Sequence, residues 1–229
     1  FGPVIASPVH INGRVLVLTS TASDGVARLV CLDAEPEQDL CGPRAAGWTV
    51  NPLPDGEPDD GWVDYLQGAN YDKIWEVEVL PSGATPRSSG LVVGNRWQDA
   101  NGDGNREAEE IEPVVVFSAS RERPGNGDSG FVYCFSAITG ELRWEFQVDP
   151  YRGSSRVCDV STPVVNNGWV YFTASEYDAS LPDATGDGVD RTFGRAWCID
   201  LQTGGNLTGN VNTSGAVWVF PDADLDRGD

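Results

Sequence analysis

Short apolar runs recur along the chain, each bounded by turn residues, and none settles into a helical period. VLVLTS (15–20), VVVFSAS (114–120), FVYCFS (131–136) and WVYFTAS (169–175) are rich in Val, Phe and Tyr, and runs of this length and type predict strands. Two-residue Asn-Gly signals at Asn12-Gly13 and Asn167-Gly168 predict tight hairpins between successive strands.

The runs are organised as repeats. GFVYCFSAITGELRWEFQV (130–148) reads as a strand, a turn at Thr139-Gly140 and a second strand carrying Trp144. GRAWCIDLQTGGNLTGNVNTSGAVWVF (194–220) follows the same grammar, with Cys198 in the place of Cys134, Thr203-Gly204 in the place of Thr139-Gly140, and Trp218 after a longer turn. ARLVCLDAEPEQDLCGPRAAGWTV (27–50) is a third copy with Cys31 in register; its Trp-bearing strand starts at either Trp48 or Trp75. Upstream of these copies, IASPVHINGRVLVLTS (5–20) aligns with VSTPVVNNGWVYFTAS (160–175), and in the middle copy SSGLVVG (88–94) and PVVVFSAS (113–120) supply the equivalent strands. Each unit therefore reads as four short antiparallel strands, and such units in series predict an all-β protein, a β-propeller of about three blades. Blade 1 is expected over about 4–80, blade 2 over about 88–149 with an insertion at 96–112, and blade 3 over about 157–220 with an acidic insertion at 176–193.

The pattern Ser/Thr-Pro-Val-Val, Asn-Gly, Val-Tyr, followed by Val-Tyr-Cys and Thr-Gly-Glu-Leu-Arg-Trp-Glu-Phe, resembles the repeat of pyrroloquinoline-quinone-type (PQQ-like) propellers. That superfamily includes quinoprotein alcohol dehydrogenases and a non-enzymatic outer-membrane-assembly lipoprotein. The resemblance implies that Trp144, Trp218 and Trp48 pack one blade on the next rather than stack on a ligand. It also implies, for the enzymes, a quinone held at the hub by a vicinal disulfide, a stacking Trp, a catalytic Asp and a calcium ion bound by Glu and Asn. No two cysteines of this chain are adjacent, and about three blades fall short of the family's usual ring. A non-catalytic binding or structural propeller is therefore expected, with a segment of a PQQ-dependent oxidoreductase as the alternative and a carbohydrate-binding or adhesive propeller as a third reading, the last resting on loop aromatics such as Trp62, Tyr65 and Trp97.

The chemistry most specific in its spacing lies in the middle insertion. DANGDGNREAEE (99–110) satisfies D-x-[DN]-x-[DN]-G-x5-E. Asp99, Asn101 and Asp103 alternate, Gly104 takes the sharp bend, Asn105 offers its carbonyl, Glu107 ligates directly or through water, and Glu110 closes the loop. The donors are all hard oxygens, which selects Ca²⁺ over zinc or copper. The loop resembles the EF-hand-like calcium loops of integrin-type propellers, set on a β-hairpin without flanking helices. A weaker echo in DATGDGVDR (183–191) aligns Asp183, Thr185 and Asp187, with Asp190 standing in for the missing closing Glu.

Charge and composition narrow the partners. Of 229 residues, 35 are acidic and 15 basic, a net charge of −20, which repels polyanions and sets nucleic acid aside as a partner. No run of about 18 apolar residues offers a membrane span. Protein partners or a larger cell-surface assembly are expected instead, in a secreted, extracellular or periplasmic setting where calcium is plentiful. The chain has no Met, position 1 included, which leads to the expectation of a processed product or a segment of something longer. Cys31, Cys41, Cys134, Cys158 and Cys198 contain no C-x-x-C, so sulfur-ligated zinc is not expected, while Cys31 and Cys41 could pair in an oxidising compartment. His10, the single histidine, is expected to pack or face solvent rather than catalyse.

Overall fold

The computed structural model describes residues 4, 6–19, 26–34, 73–80, 84–85, 90–97, 101–123, 127–148, 155–178, 180, 182, 192–205 and 218–220. Within them the chain forms three antiparallel sheets in sequence order. Blade 1 is a meander of β1 (Val9–Ile11), β2 (Arg14–Thr19), β3 (Ala27–Asp33) and β4 (Lys73–Leu80). Blade 2 contains β5 (Ala84–Thr85), β6 (Val92–Trp97), β7 (Ile111–Arg123), β8 (Gly127–Ser136) and β9 (Leu142–Val148). Both β5 and β6 pair with β7, so together they make one interrupted first strand. Blade 3 repeats this plan with β10 (Ser155–Val160) and β11 (Val164–Asn166) on β12 (Trp169–Asp178), followed by β13 (Thr192–Asp200) and β14 (Trp218–Phe220). Pro163 falls in the break between β10 and β11, where a residue without an N–H costs no ladder bond.

The hairpin signals are realised as expected. Asn12 and Gly13 sit at φ 48° and 71°, and Asn167 and Gly168 at φ 50° and 81°, the paired left-handed values that a two-residue turn matched to strand twist requires. The repeat is also a register. Cys31 faces Trp75, Cys134 faces Trp144 and Cys198 faces Trp218 across the third and fourth strands. This places Trp75 in the fourth strand of blade 1 and leaves Trp48 outside the described residues.

Stacking of the sheets explains why the middle blade reads as continuously apolar. Val115, Phe117, Phe131, Tyr133 and Phe135 face Leu16, Leu18 and Leu29 of blade 1 in one core. The alternate residues Val114, Val116, Val132 and Cys134, with Trp144 and Phe146, face Val170, Phe172, Trp197 and Ile199 of blade 3 in a second core. A sheet covered on both faces cannot show the apolar/polar alternation of a sheet with one wet side. Four-stranded antiparallel sheets packed face to face in chain order are consecutive blades of a β-propeller.

Between blades 2 and 3 the contact is specific. An added Cβ on Gly204 would stand 2.6 Å from Cδ2 of Trp144, and the Trp144 indole N–H donates to the Leu201 carbonyl at 2.9 Å. Between blades 1 and 2 a Cβ on Gly140 would stand 2.8 Å from Cε3 of Trp75. Trp75 and Trp144 thus each lie on the glycine of the next blade's Thr-Gly turn, Gly140 and Gly204 respectively. Those glycines are at φ +75° and +70°, so both the backbone angle and the close approach exclude a side chain. The packing role expected for Trp144 is what the structure shows.

A buried ion pair reinforces blade 3. Arg195 on β13 donates from Nη1 to Glu176 Oε1 on β12 at 2.9 Å, and its guanidinium lies 4.4 Å from the centre of the Trp197 ring.

Candidate functional site

The middle insertion is carried by the hairpin of β6 and β7, whose pairing runs to Trp97 and Ile111. Between these strands the described part of the loop, Asn101 to Glu110, curls on its own side chains. Asn101 Oδ1 accepts the Asp103 amide at 2.9 Å, and Asp103 Oδ1 accepts the Asn105 amide at 2.7 Å. Each of these side chains thus caps an amide two residues further along the loop. The Asn105 amide, the Asn105 side chain and, more weakly, the Asn101 side chain hold the Asp103 carboxyl below its ordinary value. Gly102 and Gly104 adopt φ +76° and +77°, with open space around each.

The loop closes through Glu107 and Glu110. Asn101 Nδ2 donates to Glu107 Oε2 at 3.4 Å, and the Asn101 amide donates to Glu110 Oε1 at 3.3 Å. A single 3₁₀ turn, Ala108–Glu110, brings the last carboxylate round before β7 begins, and no longer helix flanks the loop among the described residues. Residues Asn101 to Glu109 are exposed, whereas Glu110 is 7% exposed. Its Oε2 accepts the Trp97 indole N–H at 3.0 Å. Asp99 lies outside the described residues. Among those described, no three or more acidic, His or Cys side chains converge as a ready metal centre. The described side-chain oxygens, carboxylate and amide, are of the type that suits a hard cation.

Two features here were not evident from spacing. Trp97, expected as an exposed loop aromatic, is partly buried: Arg106 lies 5.4 Å from its ring centre and its N–H is committed to Glu110. Gln202, in the turn of blade 3, accepts the Trp97 backbone N–H at 3.1 Å through its side-chain oxygen. Its carbonyl accepts Arg96 Nη2 at 2.7 Å and Nε at 3.2 Å. Such contacts join positions more than a hundred residues apart, and no local signal announces them.

Beside the hairpin, Glu112 receives Arg143 and Arg96. Arg143 Nε lies 2.9 and 3.0 Å from its two oxygens, with Nη2 also on Oε1, and Arg96 Nη1 lies 3.1 Å away. Burial alone would raise the Glu112 carboxyl; hydrogen bonds from Arg143 and Ser136 and the charges of Arg143 and Arg96 outweigh it and hold the group below its ordinary value.

The other expected groups do not gather into a second site within the described residues. Asp183, Thr185, Asp187 and Asp190 lie outside them, as do Trp62, Tyr65 and Cys41. His10 is exposed on β1, opposite Val15. Burial pushes the Cys134 thiol up to about 12 and the Cys198 thiol up to about 11, which suppresses thiolate chemistry at both.

No protein-family model matches the chain, and no curated protein matches it. Solved structures with a similar course include a europium-containing methanol dehydrogenase, at 11% identity and TM-score 0.45 over 93% of this chain and 31% of that one. A quinohemoprotein alcohol dehydrogenase from Pseudomonas putida is similar at 13% identity and TM-score 0.37 over 96% of this chain and 46% of that one. The chain therefore spans less than half the length of either. No helix among the described residues is long and apolar enough to cross a membrane.

Proposed function

We propose that this chain is a propeller segment that works as a non-catalytic binding or structural module, with one loop ordered by calcium. The observation that supports it most is the arrangement of Asn101, Asp103 and Glu110, whose oxygens already cap the turns of a loop with calcium spacing. Asp99, Asn101, Asp103, Asn105, Glu107 and Glu110 are the proposed ligands. Extracellular or periplasmic calcium suits such an exposed loop, because modules in those settings work with weak sites, on the order of 10⁻⁴ to 10⁻³ M. A protein partner or surface assembly is the proposed use of the module.

The second reading is a segment of a PQQ-dependent oxidoreductase, the class to which the repeat resemblance points; the two similar solved structures are by name a methanol dehydrogenase and a quinohemoprotein alcohol dehydrogenase. The two readings part on one experiment. The chain is incubated with pyrroloquinoline quinone and calcium, and alcohol oxidation is followed with an artificial dye acceptor. The module reading expects no dye reduction above a quinone-only control; quinone-dependent turnover by the protein would replace it with the oxidoreductase reading.

A further inference from the structure

The calcium loop and the joint between blades 2 and 3 share a short chain of contacts. Glu110, the proposed closing ligand, accepts the indole N–H of Trp97. The backbone N–H of the same Trp97 donates to Gln202 Oε1, and Arg96 next to it donates twice to the Gln202 carbonyl. Gln202 is itself held, since its amide donates to Asp200 Oδ1 at 2.8 Å. Two residues on is Gly204, the seat of the Trp144 ring. The hairpin that bears the loop is also pressed on blade 3 lower down, where a Cβ on Gly94 would stand 2.8 Å from Val165 and 3.3 Å from Leu201.

We infer that Gln202 is a positioning residue for the calcium loop, so that occupancy of the loop by the cation tightens the blade 2 to blade 3 joint. The inference rests on the calcium reading proposed above. Trp97 orients the Glu110 carboxylate, and Gln202 fixes the backbone from which Trp97 projects. A ligand oriented from behind costs less ordering on binding, as outer contacts of metal ligands generally show. Because coupling between two sites is reciprocal, if the Trp97 contact with Gln202 favours the bound orientation of Glu110, the cation favours that contact by the same factor.

The test uses the full 229-residue chain. Calcium chloride is titrated calorimetrically into the wild type, Gln202→Ala and Trp97→Phe. Amide hydrogen exchange over 200–205 is followed with and without calcium, and over β2 of blade 1 as a remote control. Expected are calcium-dependent slowing of exchange over 200–205 by roughly fivefold or more, little change in β2, and weaker calcium binding in both variants by a similar factor. Normal binding with unchanged exchange, or variants that bind as tightly as the wild type, would overturn the coupling alone. Absence of any calcium binding by the wild type would overturn the calcium reading and the coupling with it.

Discussion

Trp144 of blade 2 lies on Gly204 of blade 3, so close that a Cβ on the glycine would stand 2.6 Å from the indole. The position also demands φ +70°, which an L side chain adopts reluctantly. Gly204→Ala is therefore expected to destabilise the chain by about 1–3 kcal/mol through overpacking and strain together. Urea denaturation measures it. Trp144→Phe keeps an aromatic side chain but loses both indole volume and the N–H that reaches Leu201, and is expected to lose about 1 kcal/mol or more. Gly140→Ala should repeat the first effect at Trp75.

Acid sensitivity is expected from Glu112. Its carboxyl is held below the ordinary value of 4.5, so the stabilisation it supplies is complete above that pH and is lost as pH falls through the lower folded value. Glu112→Gln should cost on the order of 1 kcal/mol near pH 7 and flatten the stability profile below about pH 4.5. Chemical denaturation at a series of pH values gives both quantities. Equal losses for variant and wild type on acidification would exclude Glu112 as a source of the acid limb.

Much of this architecture is legible in the sequence. Asn-Gly turns, the Thr-Gly turn and the shared cysteine position are local signals, and each is realised where the pattern put it. The fourth strand of blade 1 is left open by the sequence, because Trp48 and Trp75 both begin plausible strands and only pairing with Cys31 separates them. The candidate loop is legible as a spacing of oxygen-bearing side chains, whereas its attachment through Trp97 and Gln202 is not. A hydrogen bond across 105 positions leaves no trace in a periodicity. Trp97 reads as an exposed loop aromatic in the sequence, and the fold turns it onto the loop instead.

Burial of charge in blade 3 makes a separate prediction. Arg195 and Glu176 are 1% and 0% exposed at the side chain and 2.9 Å apart. Glu176→Ala leaves a buried cation without this partner and is expected to cost roughly 3–5 kcal/mol, while the double variant Glu176→Met with Arg195→Met should recover most of the loss. Thermal unfolding of the single and double variants measures the difference. A double variant no better than the single one would mean that the pair is not energetically linked.

The cysteines supply a chemical check on the packing. With burial holding Cys134 at about 12 and Cys198 at about 11, neither should be alkylated in the folded chain near pH 8. Iodoacetamide labelling with peptide mapping should find both unmodified in buffer and both modified in strong denaturant. Rapid labelling of native Cys134 would contradict the blade 2 to blade 3 core in which it sits.

The calcium reading is tested most directly by thermal unfolding in millimolar calcium and in excess chelator, with elemental analysis of the purified chain. Expected are a higher melting temperature with calcium, metal retained near one equivalent, and an Asp103→Ala variant that melts like the chelated wild type in either buffer. An unchanged melting temperature with no metal in the protein would contradict the account and leave the loop as a solvated acidic turn.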